Sequence, residues 1–308
     1  MLRIFYNIRR TLSYNSNFCL FNTQFPPLPQ NVLEMDDVSA YDVAQANVNL
    51  AIEFAKGYQA SEAAENRSVN IKILLPDEAE RNIAVGNLGG SAQILPNLEI
   101  GSLRRKEQDD SSTDNNVNSF LNLFGGGYGG EVFKYNNTDM YIICVASAQE
   151  LPDVEKLCEL DPEAILVTYN LKLDTLRGDL GAPAFPRKEF QDRFLSTIKP
   201  VFYLRTRQYS RSTAQPPFMI NYQGCLFRQY PGQFQTLLDT GDGRAYRRVG
   251  GSDIRPALGE FKQELTDNLK VEGIIQEEGQ MLSFLRTGYK TTTWWEEDRP
   301  GASDAWKT

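Results

Sequence analysis

MYIICVAS at residues 140–147, AILVTYN at 164–170, PVFYLRTR at 200–207 and GCLFRQYPGQFQTLLD at 224–239 decide the fold. Each is an apolar, β-branched or aromatic run ended by polar or turn residues, the pattern of a buried strand. Helical patterns separate the first three, whereas the last follows with no helix between. AYRRVG at 245–250 continues the series after Thr240-Gly241-Asp242-Gly243, where Asp-Gly is a hairpin signal. The predicted class is therefore α/β, a single three-layer domain over 39–270. Its mixed sheet is expected to be parallel in the first half and an antiparallel meander in the second.

Outward from these strands the helices read as amphipathic patterns. Ser39 to Tyr58 has a broad apolar face, with Asp36, Asp37 or Ser39 to cap its start and Gly57 near its end. SVNIKILLP at 68–76 is a further strand, and Asp77 to Arg81 opens a helix or turn. Ala92 to Arg105 places Ile94, Leu95, Leu98, Ile100 and Leu103 at helical spacing. Helices are also expected over Leu151–Leu160, Lys188–Ile198 and Pro256–Leu269, with a polar connection from Gln208 to Gln223. Lys106 to Ser119 is a polar, low-complexity insert. The glycines at 125–127, 129 and 130 follow a helical pattern and precede a strand. That is the reverse of a phosphate-binding loop, so they read as a helix-to-strand turn.

Composition closes several chemistries. The chain has no histidine, which removes His-based triads, His metal ligands and the commonest general base. Its four cysteines form no CxxC pair, and Cys144 and Cys225 fall inside strand runs, as reduced buried thiols do. No metal and no cofactor is expected. The formal net charge of -8 lacks the basic footprint that nucleic acid or anionic lipid requires. No apolar run approaches the roughly 20 residues of a membrane span, so no integral span is expected.

The two ends differ from the middle. No acidic residue precedes Glu34, while Arg3, Arg9 and Arg10 stand among Ser, Thr and Asn. Residues 1–33 therefore read as a transit peptide or a disordered arm, with FPPLPQ as an extended linker. The tail at 271–308 carries all three tryptophans, Trp294, Trp295 and Trp306, and a Trp-bearing tail is expected to dock on its own domain.

Two groups of polar residues are candidates for a site. Ser147 and Asn170 stand at the C-terminal ends of two predicted parallel strands, where open α/β sheets bind ligands; they read equally well as caps. Strand alternation puts Tyr203, Arg205 and Arg207 on one face, and Leu226, Arg228 and Tyr230 on one face of the next strand. Arg205 and Arg228 would lie side by side, with Arg247 or Arg248 joining them. Like charges so placed need neutralising. Either Asp239, Asp242 or Glu260 does it, or the arginines bind a small anionic ligand with Tyr230-Pro231-Gly232 as the rim.

VASAQELPDVEKLCEL, ILVTYNLKLD, RFLSTIKPVFYLRT and GCLFRQYPGQFQTLLD, within about Ser39 to Glu260, resemble a family of unknown function found in cyanobacteria and plastids. That family includes plant proteins needed for photosystem II accumulation and the C-terminal extension of a plastid adenylate kinase. This chain departs from it with Phe234 where Trp is usual, with the insert at 106–119, and with its Trp-bearing tail. The resemblance implies a plastid protein, stromal or peripheral on the thylakoid, with mitochondrion as the alternative. It implies a non-enzymatic accessory role in biogenesis or maintenance of the photosynthetic apparatus, with partners there. The competing expectation is an enzyme or sensor that binds a small phosphate- or carboxylate-bearing ligand at the sheet crevice. None of the family's blocks is a catalytic motif, so no catalytic residue is assigned.

Overall fold

The computed structural model describes residues 20–33, 35–105, 130–175, 187–212, 216, 218–241, 243, 245–271, 293–296 and 299–308. They fold into two compact units, the first built mainly from 36–171, the second from 22–35 and 172–308. After β1 (Leu20–Gln24) and one helical turn at Gln30–Leu33, the chain enters α1 (Ala40–Ala63). Ser39 caps α1 as expected: its hydroxyl accepts from the Asp42 amide at 3.2 Å while the Asp42 carboxylate accepts from the Ser39 amide at 2.9 Å. The helix runs past Gly57 because Tyr58 and Glu62 are buried beyond it, and that packing outweighs the modest helix penalty of one glycine.

The first unit is a parallel sheet with one antiparallel edge. Its strands are β2 (Ile71–Leu75), β3 (Gln93–Leu95), β4 (Leu98–Ser102), β7 (Met140–Cys144) and β8 (Ile165–Tyr169), in the order β8-β7-β2-β4-β3. β7 pairs parallel with both β8 and β2, and β2 parallel with β4. The crossovers include α2 (Glu78–Asn87), capped by Asp77, and α3 (Leu151–Leu160). Every residue of β7 is buried, as its unbroken apolar run predicts.

The helical reading of Ala92 to Arg105 is wrong. The stretch forms β3, β4 and β5 (Arg104–Arg105), the last paired with β6 (Glu131–Val132). Leu98 and Ile100 satisfy period two as well as helical spacing, and Asn97 at φ 63° turns the chain between β3 and β4. Pairing with β2 then decides in favour of strand. At Gly101 a Cβ would sit 2.5 Å from the Tyr135 hydroxyl, which bonds both the amide and the carbonyl of Ser102 at 3.0 Å. The insert at 106–119 and the glycines 125–127 and 129 lie outside the described residues.

The second unit is the antiparallel meander: β9 (Lys199–Ser212), β10 (Met219–Gln229), β11 (Phe234–Gly241) and β12 (Ala245–Ser252). β1 lies beside β9, giving the order β12-β11-β10-β9-β1. Phe21 to Gln24 are buried, so the expected arm does not extend to residue 33; residues 1–19 lie outside the described residues. The polar connection expected from Gln208 to Gln223 is instead the far half of a long hairpin. Tyr209 and Tyr222 face each other there with rings stacked at 5.5 Å, and cross-strand aromatic pairs stabilise such a ladder.

One face of this sheet packs on α5 (Leu258–Val271). Tyr203, Tyr222, Leu226, Phe234 and Leu238 meet Phe261, Leu265 and Leu269, which recur every four residues along the helix. Gly224 allows the approach, since a Cβ there would lie 2.5 Å from Leu265. The helix expected over Lys188–Ile198 is α4 (Lys188–Arg193) followed by a 3-10 turn at Leu195–Thr197. The tryptophan tail docks on this same unit: the Trp306 amide bonds the Ser196 carbonyl at 3.0 Å, and all three indoles are buried. The α/β class is thus as expected, with parallel and antiparallel strands flanked by helices.

Candidate functional site

Strand alternation does put Tyr203, Arg205 and Arg207 on one face of β9, and register puts Arg228, Leu226 and Gly224 opposite them. Arg205 faces Leu226 and Arg228 faces Tyr203, so the two arginines are diagonal neighbours rather than a direct pair. Different partners hold them.

Asp174 is the centre of the first group. It sits in a 3-10 turn, Leu173–Thr175, after β8, and is only 4% exposed. Its carboxylate accepts from the Tyr203 hydroxyl at 2.9 Å, pairs with Arg205, and receives Arg207 at 3.3 Å and Arg255 at 3.7 Å. Arg255 is the most enclosed cation. Its guanidinium lies 4.4 Å from the Tyr203 ring, 4.1 Å from Trp295 and 4.8 Å from Trp306, and none of its nitrogens makes a hydrogen bond. Burial pushes it below the ordinary arginine value, opposed by Tyr203 and Asp174. Burial likewise pushes the Tyr203 hydroxyl up to about 12, with Arg255 acting the other way. The weakly hydrated, planar guanidinium suits such a box of ring faces. Trp294 fixes the box, donating from its indole to the Leu173 carbonyl at 2.9 Å.

Arg228 belongs to a second group. It is 3% exposed, stacked 4.3 Å from the Phe234 ring and 5.0 Å from Tyr230, and its Nε donates to the Gly232 carbonyl at 3.2 Å. Its Nη1 is buried with no hydrogen-bond partner. Lys199 lies against the same tyrosine ring at 4.8 Å and donates to the Thr308 hydroxyl at 3.2 Å. Burial, and then Arg228, pull the Lys199 ammonium down to about 8.

The remaining expected residues lie elsewhere. Arg248 is exposed, donates to Gln233 at 3.0 Å and to the Gly250 carbonyl at 3.3 Å, and joins neither group; Arg247 is exposed opposite Leu238. The expected neutralisers are engaged otherwise. Asp239 accepts from Gln223 and from the Gly241 and Gly243 amides, and Glu260 accepts from the Ala257 amide; Asp242 lies outside the described residues. In the first unit, Ser147 forms a capping box with Glu150, which is its structural reading. Asn170 is buried at φ 57° and donates to Asn47 at 2.9 Å. Sequence reasoning missed Asp174, Lys199 and Arg255. A lone aspartate just after an apolar strand, in NLKLD, was the only signal available for the first.

Among the described residues no group of three or more His, Cys, Asp or Glu is placed to hold a metal ion, and no helix is long and apolar enough to cross a membrane. Fold and site together define a mixed α/β protein whose antiparallel unit carries buried arginines among aromatic rings. Residues 8–263, most of the chain, match a domain of unknown function, DUF1995, and the chain belongs to that family. No curated protein and no solved structure matches it significantly.

Proposed function

We propose that the protein is a non-enzymatic plastid accessory factor that assists biogenesis or maintenance of the photosynthetic apparatus by holding a protein component of it. The plastid assignment rests on the sequence blocks described above. The observation that carries a binding role is the outer face of the second unit's sheet, opposite α5. Along it Phe202, Leu204, Phe227 and Leu237 stay half-buried, and Met219 is 60% exposed at its far end. Phe25, Phe202 and Phe227 form a row of edge-to-face rings across it. A half-exposed aromatic and aliphatic face is what protein partners bury.

Capture from plastid extract tests this, comparing the wild type with a Leu204→Lys, Leu237→Lys variant whose circular dichroism is unchanged. Photosystem subunits should be retained by the wild type and lost from the variant. Retention of none by the wild type, or equal retention by both, rejects the proposal.

A further inference from the structure

We propose that the open edge of β10 at Met219–Gln223 takes up an extended peptide as an added antiparallel strand, a site separate from the apolar outer face of the sheet. Register shows where the edge is open. β10 pairs with β9 over its whole length, Met219 to Gln229, but with β11 only from Gly224 to Arg228. Two contacts at its end fix the direction of its hydrogen bonds. The Tyr230 amide bonds the Val201 carbonyl on the β9 side at 3.0 Å, and the Gln229 carbonyl accepts from the Gly232 amide on the other side at 2.8 Å. Neighbouring residues of a strand turn their amide and carbonyl to opposite sides, so even-numbered residues of β10 bond toward β9 and odd-numbered ones toward β11. Met219 and Asn221 therefore present both groups to a side where no described strand continues the ladder. Such edges are usually guarded by a charge, a proline or a bulge. Met-Ile-Asn-Tyr-Gln carries no charge and no proline, and its register with β9 is unbroken.

The surroundings of the edge select the occupant. A cleft of about 680 Å³ lies along it, lined by Ile220 to Gln223, by Asp239 to Gly241 and by Leu269 of α5. That volume is ample for a ligand. The end of β11 forms the opposite wall and is held in place: the Asp239 carboxylate accepts from the Gly241 amide at 3.1 Å and from the Gly243 amide at 2.9 Å, which fixes the turn into β12. A walled slot admits a single strand, whereas the whole sheet edge of a second copy would meet that wall. The two sides of the slot differ. Ile220 and Tyr222 share the face that packs on α5, while Asn221 and Gln223 face the other way, where Gln223 donates to Asp239. An added strand alternates likewise, so its apolar residues belong beside Ile220 and Tyr222 and its polar residues beside Asn221 and Gln223. Asp239 is the one charged residue among the described residues lining the cleft, so neutral or basic polar residues suit it better than acidic ones. Main-chain hydrogen bonds to Met219 and Asn221 would supply affinity, and this alternation the specificity.

The test is fluorescence polarisation of the full chain with labelled, end-capped seven-residue peptides in which valine alternates with threonine or lysine. In an antiparallel addition the residues directly opposite Met219 and Asn221 are the polar ones, and their amides make the ladder bonds. The parent peptide should therefore bind the wild type. A version N-methylated on the threonine and lysine amides should bind at least about tenfold more weakly than one N-methylated on the valine amides, the order expected when a ladder partner is left unmatched. Asn221→Pro removes the amide on the open side and leaves the bonds toward β9 in place, so it should weaken the parent peptide by a similar factor. Should that variant fail to fold, the two methylated peptides decide with the wild type alone. The proposal is overturned if the wild type binds no peptide, if the two methylated peptides bind alike or in the reverse order, or if folded Asn221→Pro binds as the wild type does. A concentration-dependent dimer in sedimentation that Asn221→Pro abolishes would give the edge to a second copy and overturn it too.

Discussion

The second unit holds two groups of buried cations a few residues apart, and they are built on opposite terms. Around Asp174, Arg205, Arg207 and Arg255 converge on one carboxylate, and three rings close over the last of them. Around Tyr230, Arg228 meets the Phe234 and Tyr230 rings and the Gly232 carbonyl, and keeps a buried donor without a hydrogen bond. Arg255 and Arg228 are alike in residue type and in burial. The supply of an internal counter-charge separates them: Asp174 pairs with Arg255, while among the described residues no carboxylate pairs with Arg228.

The comparison breaks most sharply at its anion. Asp174→Asn keeps the shape of the turn but removes the charge shared by three guanidinium groups. Stability should fall by about 3–5 kcal/mol, the usual result of stripping a buried pair of one partner. Urea unfolding measures it, and a loss below about 1 kcal/mol would mean that the group holds little together. Arg255→Met should be milder, at most about 2 kcal/mol, because Asp174 keeps three other donors and an apolar stem still fills the ring box. If the methionine variant loses as much as the asparagine one, the cation rather than the carboxylate organises the group.

The smallest effect concerns pH. Burial, and then Arg228, bring Lys199 to a folded value of about 8, below the ordinary lysine value, with the Tyr230 ring and the Thr308 hydroxyl against it. Between about 8 and 10 the unfolded chain then binds more protons than the folded one, so this residue makes folding more favourable as pH rises. Lys199→Met removes that slope. The melting-temperature difference between wild type and variant should move toward the wild type across the window. Burial pushes Cys144 and Cys225 up to about 12, which lowers the stability of both proteins alike above about 9, so the difference is the informative quantity. A difference constant with pH would show that Lys199 is not desolvated.

How far the sequence could be read follows from which contacts are local. β7 and β8 were legible because a strand buried on both faces writes itself as an unbroken apolar run. β4 was not, since Leu98 and Ile100 fit both periods and only pairing with β2 chooses between them. The face shared by Tyr203, Arg205 and Arg228 followed from alternation and hairpin order. Asp174 did not, because it reaches Arg205 across 31 residues of chain, a closure that no periodicity records. Lys199 and Arg255 each precede a proline and read as ordinary loop residues.

The tryptophan box has a spectroscopic consequence. All three indoles of the chain sit in one cluster, with ring centres 5.2 to 6.2 Å apart and a guanidinium against two of them. Intrinsic fluorescence and near-ultraviolet dichroism therefore report on a single place in the molecule. A red-shifted emission with unchanged far-ultraviolet signal marks the tail lifting from Arg255 and the Asp174 turn, before any strand of the meander has come apart.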